Sequence, residues 1–213
     1  MADVVGSRDQ ESVSMMQAFQ TLVNDLNDTF GWRLLSPVTI TLGDDFQGVP
    51  DGLDTACEII LWVEEQRIAR SLTFELRYVL HEGDIATPIN RTLAWGMFGK
   101  GLTDAREMLN EIKHRNLSVK VSIDRQIAGQ ILEEAFVVYR NIISGWDPED
   151  DYPVAAAFLK HHDYKEVAVA LGKSRSQMWK RAHSLNIQSF FSIRKIIMAC
   201  PKLYSPASPV LLS

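Results

Sequence analysis

Two adjacent carboxylates, Asp44 and Asp45, stand at the tip of what reads as a hairpin. Val38, Ile40 and Leu42 alternate with Thr39 and Thr41, the period-two pattern of a strand. Gly43-Asp44-Asp45 supplies the turn, and Phe46 restarts an apolar run that stops at Gly48, Pro50 and Gly52. Carboxylates at a strand end are hard oxygen ligands that can hold Mg²⁺ together with substrate phosphates. Asp also shapes turns, because its side chain bonds its own backbone. The residues alone leave both uses open.

A second chemistry-bearing group lies between residues 164 and 183. Tyr164 to Leu171 has helical spacing, Gly172-Lys173 reads as a turn, and Ser174 is placed to cap a further helix running to about His183. Ala168 and Gly172 are four apart and Met178 lies six beyond Gly172. That is helix-turn-helix spacing: a small residue where helices cross, Gly in the turn, and an apolar anchor on the recognition helix. The outward face would carry Ser174, Arg175, Ser176, Trp179, Lys180 and His183, with Arg175 near the end that reaches base edges. Lys173 and Lys165 are placed for phosphates. His161, His162 and His183 read as surface or phosphate-contacting groups rather than metal ligands. The alternative is a three-helix bundle with a solvated basic face.

Charge is distributed to match. The chain has 213 residues and a net charge of −5, but residues 1–145 hold 13 Lys+Arg against 21 Asp+Glu, while 160–202 hold 9 against 2. Nucleic acid would therefore meet the C-terminal part. No apolar run approaches the roughly 20 residues of a membrane span. The opening residues carry no signal pattern, so the expected location is cytoplasmic. Cys57 and Cys200 lack C-x-x-C spacing, which argues against a zinc site or disulfide scaffold.

The elements that must position these groups follow from periodicity. Ala2 to Arg8 reads as a strand end entering a Gly turn. Gln10 to Phe30 is helical, then comes the hairpin, then a helix over Asp54 to Arg70. Leu72 to His81 alternates as a strand. Gly99 to His114 is a helix, Leu117 to Ile123 a strand, and Arg125 to Ile143 a helix. This order predicts an α+β sheet with helices on one face, of ferredoxin-like or polymerase-palm type. Gly145 to Pro153 is acidic and holds two prolines, a linker composition. A helix from Pro153 to His161 opens the C-terminal module. The last helix, about Gln188 to Ala199, has a broad apolar face (Phe190, Ile193, Ile196, Ile197) expected to pack on its own domain or on a second copy.

With these pieces in view the chain resembles the SatD family. That family has an opening G-D-x-V-x-S-R segment, an L-G-D-E-F-Q-G hairpin, an R-x-x-x-x-x-G-x-I strand, a G-x-D-G-x-A-x-x-x-A-R-E helix and a C-terminal helix-turn-helix. Here they read Ala2-Asp3-Val4-Val5-Gly6-Ser7-Arg8, then Leu42-Gly43-Asp44-Asp45-Phe46-Gln47-Gly48, then Arg77 to Ile85, then Gly96 to Glu107. At greater distance they are similar to class III nucleotide cyclases. Those place one metal Asp in an A-D-I-x-G-F segment, a second in a hairpin G-D, and an Arg in a helical N-x-x-x-R. Asp3, Asp44 and Arg106 fill those slots. The resemblance implies carboxylates holding Mg²⁺ against phosphate oxygens, with Arg106 offsetting transition-state charge. The chain departs from the pattern at Leu102 (the Asn slot), at Phe98 (an Asp in the family) and at Lys100-Gly101 (usually Pro-Ala). Only Met1 and Ala2 stand ahead of Asp3, where a central strand is expected.

The expectation is a cytoplasmic two-domain regulator. Residues 1–145 form a palm- or cyclase-like α+β domain that senses a nucleotide or serves as a dimerisation platform, and 146–213 form a small all-α helix-turn-helix domain that binds DNA as a homodimer. The enzyme alternative is a Mg²⁺-dependent nucleotidyl transferase using Asp3, Asp44 and Asp45, which the departures weaken. A third is a non-catalytic protein-interaction scaffold.

Overall fold

A computed structural model describes residues 1–6, 13–41 and 43–204. Ser7, Arg8 and the expected helix start at Gln10 lie outside these, as does Leu42. Five strands form one sheet in the order β2-β3-β1-β4-β5. They are β1 (Ala2–Val4), β2 (Leu34–Ile40), β3 (Asp45–Pro50), β4 (Leu76–His81) and β5 (Val119–Ser122). The first four are antiparallel to their sheet neighbours, and β5 joins β4 in parallel. With α1 (Val13–Phe30) after β1 and α2 (Leu53–Ala69) after β3, this is the β-α-β-β-α-β order of ferredoxin-like sheets with one strand added. The fold is α+β, as the periodicity predicts.

β2 begins earlier than the Val38–Leu42 alternation suggests. Leu34 and Ser36 already pair with β3, with register shifts on either side of Ser36. Pro37 lies in the second of these, where the missing N–H costs no ladder bond. The exposed edge of β2 is covered locally: the Asn27 amide accepts from Val38 N (2.8 Å) and donates to Val38 O (2.7 Å).

Helices cover both faces of the sheet, which corrects the one-face expectation. Leu76, Tyr78 and Leu80 of β4 point into the larger core with Phe19, Leu22 and Leu26 of α1, Ile60 and Val63 of α2, and Leu132 and Phe136 of α4 (Gln126–Ser144). Val79 points the other way, to Ala105, Leu109 and Ile112 of α3 (Lys100–His114). β4 sends Leu76, Tyr78 and Leu80 to one face and Val79 to the other, where the inward stripe of α3 meets it, so each face receives a layer. Close backbone contact sets the position of α3. A Cβ on Gly101 would sit 2.6 Å from the carbonyl carbon of Gly83, so only glycine fits there.

The C-terminal helices are α5 (Tyr152–His161), α6 (Tyr164–Ala170), α7 (Arg175–Ser184) and α8 (Ile187–Tyr204). The larger core runs into them without interruption through Trp146, Phe158, Met178, Phe190 and Ile197. α8 packs along α4 and α2, with Phe190 stacked on Tyr139 at 4.9 Å. Its apolar face is therefore met largely within the chain. The acidic segment before α5 is a pinned turn: Asp151 N donates to Asp147 O, Arg181 pairs with Asp151, and Trp146 Nε1 donates to Leu185 O at 3.0 Å. No described helix is long and apolar enough to cross a membrane.

Candidate functional site

The sheet register decides which hairpin carboxylate meets Asp3. Asp3 lies opposite Asp45 on one side and opposite Arg77 on the other. These three residues form a row across β3, β1 and β4 on the face that α3 covers. Asp44 sits one residue earlier in the turn, where its carbonyl accepts from Val4 N at 2.8 Å. Asp44 lies in the turn before β3, still near enough for its negative charge to act on Asp3. By strand register it is Asp45 that is paired with Asp3 on the sheet.

Cations from α3 close over the row. Lys113 Nζ is 2.9 Å from Asp3 Oδ2, and Arg77 Nη1 is 3.6 Å from the same oxygen. Arg106 pairs with Asp45, whose other oxygen accepts from Thr41 Oγ1. Lys113 and Arg106 are seven apart, two helical turns, so both descend from one face of α3. Asp3 is fully buried, and its Oδ1 has no hydrogen-bond partner among the described residues. Burial, and to a smaller extent the negative charge of Asp44, push its carboxyl above the ordinary range, and Lys113 and Arg77 offset only part of that.

Of the residues named from the resemblance, Arg106 is brought to Asp45. Arg77 and Lys113 were not among the expected site residues. The signal for Arg77 was available: Leu76, Tyr78 and Leu80 claim the core, so Arg77 must share its face with Val79 and His81. Lys113 reads in sequence as an ordinary basic residue in the last turn of a helix.

As a metal site, the donor set is already engaged. Asp45 is bound through both oxygens and Asp3 faces two cations. Among the described residues no group of three or more His, Cys, Asp or Glu is gathered around a common point. This arrangement does not fit a pair of divalent ions.

The C-terminal face is the other candidate. Ser174 caps α7 in a reciprocal capping box with Gln177: Ser174 N donates to Gln177 Oε1 (3.0 Å) and Gln177 N to Ser174 Oγ (3.2 Å). Gly172 holds the α6–α7 turn at φ +61. Ala168 and Met178 are buried where the two helices meet. Ser174, Arg175, Ser176, Trp179, Lys180 and His183 are all exposed, as are Lys165 and Lys173. Trp179 and His183 form a ring contact at 4.1 Å, and His183 Nδ1 lies 2.8 Å from Trp179 O. Arg181 and Arg194 turn inward to Asp151 and Glu65, whereas Arg175, Lys180, Lys165 and Lys173 are exposed.

The model of the SatD family matches residues 1–200. The chain belongs to the SatD family. No curated protein and no solved structure matches it. The SatD match runs through both candidate sites, the carboxylate row and the exposed face of α7.

Proposed function

We propose that this SatD family protein is a DNA-binding regulator in which α6 and α7 act as a helix-turn-helix, with the sheet domain (1–145) as nucleotide-sensing or dimerising platform and 146–213 as reader. The observation that carries this reading is the exposed face of α7. Its inward side is fixed by Met178, its amino end by the capping box, and its outward side holds Arg175, Ser176, Trp179 and Lys180. Arg175 is the first residue of α7, where a recognition helix meets base edges. A guanidinium there can take a guanine bidentately, while Lys173 and Lys165 flank it for phosphates.

The test uses the full chain, because α8 packs on helices of the sheet domain. Duplexes retained from a random pool are measured by fluorescence anisotropy at several salt concentrations. Arg175→Ala is expected to flatten the preference between retained and random duplex, a loss of about 1–3 kcal/mol of discrimination. Lys173→Ala is expected to weaken both alike and lower the salt slope by roughly one unit. If the pool yields no retained duplex at low salt, the DNA reading is wrong and α5–α7 are a structural or protein-binding bundle.

A further inference from the structure

α4 and α8 pack side by side in opposite directions, and three contacts fix their relative level. Arg125, just before α4, reaches Leu203 O at 3.4 Å, and Cys200 Sγ donates to Ala128 O at 3.8 Å. Tyr139 stacks on Phe190 at the other end. Ile127 thus lies level with Leu203, Ile131 with Ile196, and Glu134 with Lys195.

The outer side of this pair is apolar. On α8, Ser189, Ser192, Ile196, Ala199 and Leu203 follow one another in steps of three and four, and all are exposed. Such a run keeps to one side of a helix for two heptads, and this one holds no charge. On α4, Ile127, Ile131, Glu134 and Val138 take steps of four, three and four and are exposed as well. Ile127 is 75% exposed and Leu203 79%. Single exposed apolar residues need no explanation, but paired runs at heptad spacing on adjacent helices do.

Charge marks the two borders of the surface. At 3.6 residues per turn, going round α8 from Cys200 meets Ile196, Leu203, Ser192 and Ala199 before Lys195 and Lys202. Going round α4 from Tyr139 meets Ile131, Val138 and Ile127 before Glu134. One border is therefore acidic and the other basic. A copy turned about a two-fold axis parallel to the helices sets α4 on the other copy's α8, level for level. Ile127 then meets Leu203, Ile131 meets Ile196, and Glu134 meets Lys195, each from the opposite copy. An axis across the helices would lay α4 on α4 and bring like-charged borders together, which is unfavourable. The two helices offer a footprint of about 27 Å by 20 Å, so two copies bury roughly 1,100 Å². That clears the lower bound of about 1,000 Å² for a specific interface.

We infer that the outer surface of α4 and α8 is a self-association face, occupied by a second copy with α4 on the opposite α8. This rests on the dimerising part of the function proposed above and not on DNA binding.

Sedimentation velocity of the full-length chain without DNA, from low to high micromolar concentration, tests it. The parent is expected to pass from monomer to dimer. Ile131→Glu, at an exposed position, should keep the parent's circular dichroism and raise the dimer Kd by about tenfold or more. Lys195→Glu should weaken the dimer, and adding Glu134→Lys should restore it. A monomeric mass throughout overturns the second copy as occupant. A dimer that Ile131→Glu leaves intact overturns the face. A dimer insensitive to Lys195→Glu, or not restored by the double reversal, overturns the placing of α4 on α8. None of these measurements contains DNA, so a failed dimer and a failed duplex pool are separate results.

Discussion

Glu64→Gln is expected to be among the most damaging isosteric changes in this protein. Glu64 lies in α2 with no exposed surface. It accepts from Tyr78 at 2.6 Å and pairs with Arg67 at 2.7 Å and Arg140 at 2.5 Å, both guanidiniums being buried as well. A glutamine keeps the shape and the Tyr78 bond but leaves two buried cations without their anion. The nearest substitute, Glu75, is 3.7 Å from Arg140 and half exposed. Removing one partner of a buried pair costs about 3–5 kcal/mol. In a chain of this size that is a fall in Tm of roughly 6–20 °C. Thermal denaturation followed by circular dichroism, with urea unfolding for the free energy, measures it. The control is Arg33→Gln, whose partners Asp54 and Glu58 are substantially exposed and which should cost under about 1 kcal/mol. Burial works against the Glu64 carboxylate, but Arg140 and Arg67 outweigh it and hold its pKa below the ordinary value of 4.5. Its contribution is therefore present above pH 4.5 and lost as pH falls through the lower folded value, so the two curves should converge in acid. A Glu64→Gln loss no larger than that of Arg33→Gln, unchanged with pH, refutes the reasoning.

Other outcomes follow from the same geometry. Asp3 has a raised folded pKa, so its carboxyl favours the folded state below pH 3.8 and that advantage is lost as pH rises. Asp3→Asn should thus gain stability relative to the parent between acid and neutral pH in a pH-resolved urea series. An Asp3→Asn chain less stable than the parent at pH 7 would show that Lys113 and Arg77 outweigh burial. Gly101→Ala should lose about 1–3 kcal/mol by forcing α3 away from Gly83, read as a lower urea midpoint. Trp146→Phe should lose about 1–3 kcal/mol, because Leu185 O is left buried without its donor.

Much of the layout was legible because it rests on local periodicity. Phe19, Leu22, Val23, Leu26 and Phe30 are the buried residues of α1, as their spacing predicts. The Ser174 cap and the burial of Ala168 and Met178 were likewise readable. What depends on pairing between distant segments was not. Asp44 and Asp45 look equivalent in sequence, and only the register with β1 selects Asp45. Lys113 meets Asp3 across more than a hundred residues, a contact with no local signature. Glu64, Arg67 and Arg140 have the composition of a solvated helix face, and only the docking of α4 on α2 and β4 turns them into a buried network. The single-face expectation failed for a related reason: helical periodicity gives the width of the apolar stripe on α3 but not the side of the sheet it meets.

The reach of α8 has a consequence for how the protein is made. α2 and α4 leave the ribosome well before α8, which must lie along both to cover Cys57 and Tyr139. About 60 residues separate Ser144 from Tyr204, so at roughly 5–20 residues per second the sheet layer waits some 3–12 s for its last helix. During that interval it presents a broad apolar surface. The nascent chain is then a natural client for holding chaperones, and ribosomes stalled within α7 should leave a sheet domain prone to aggregation rather than a shorter working protein.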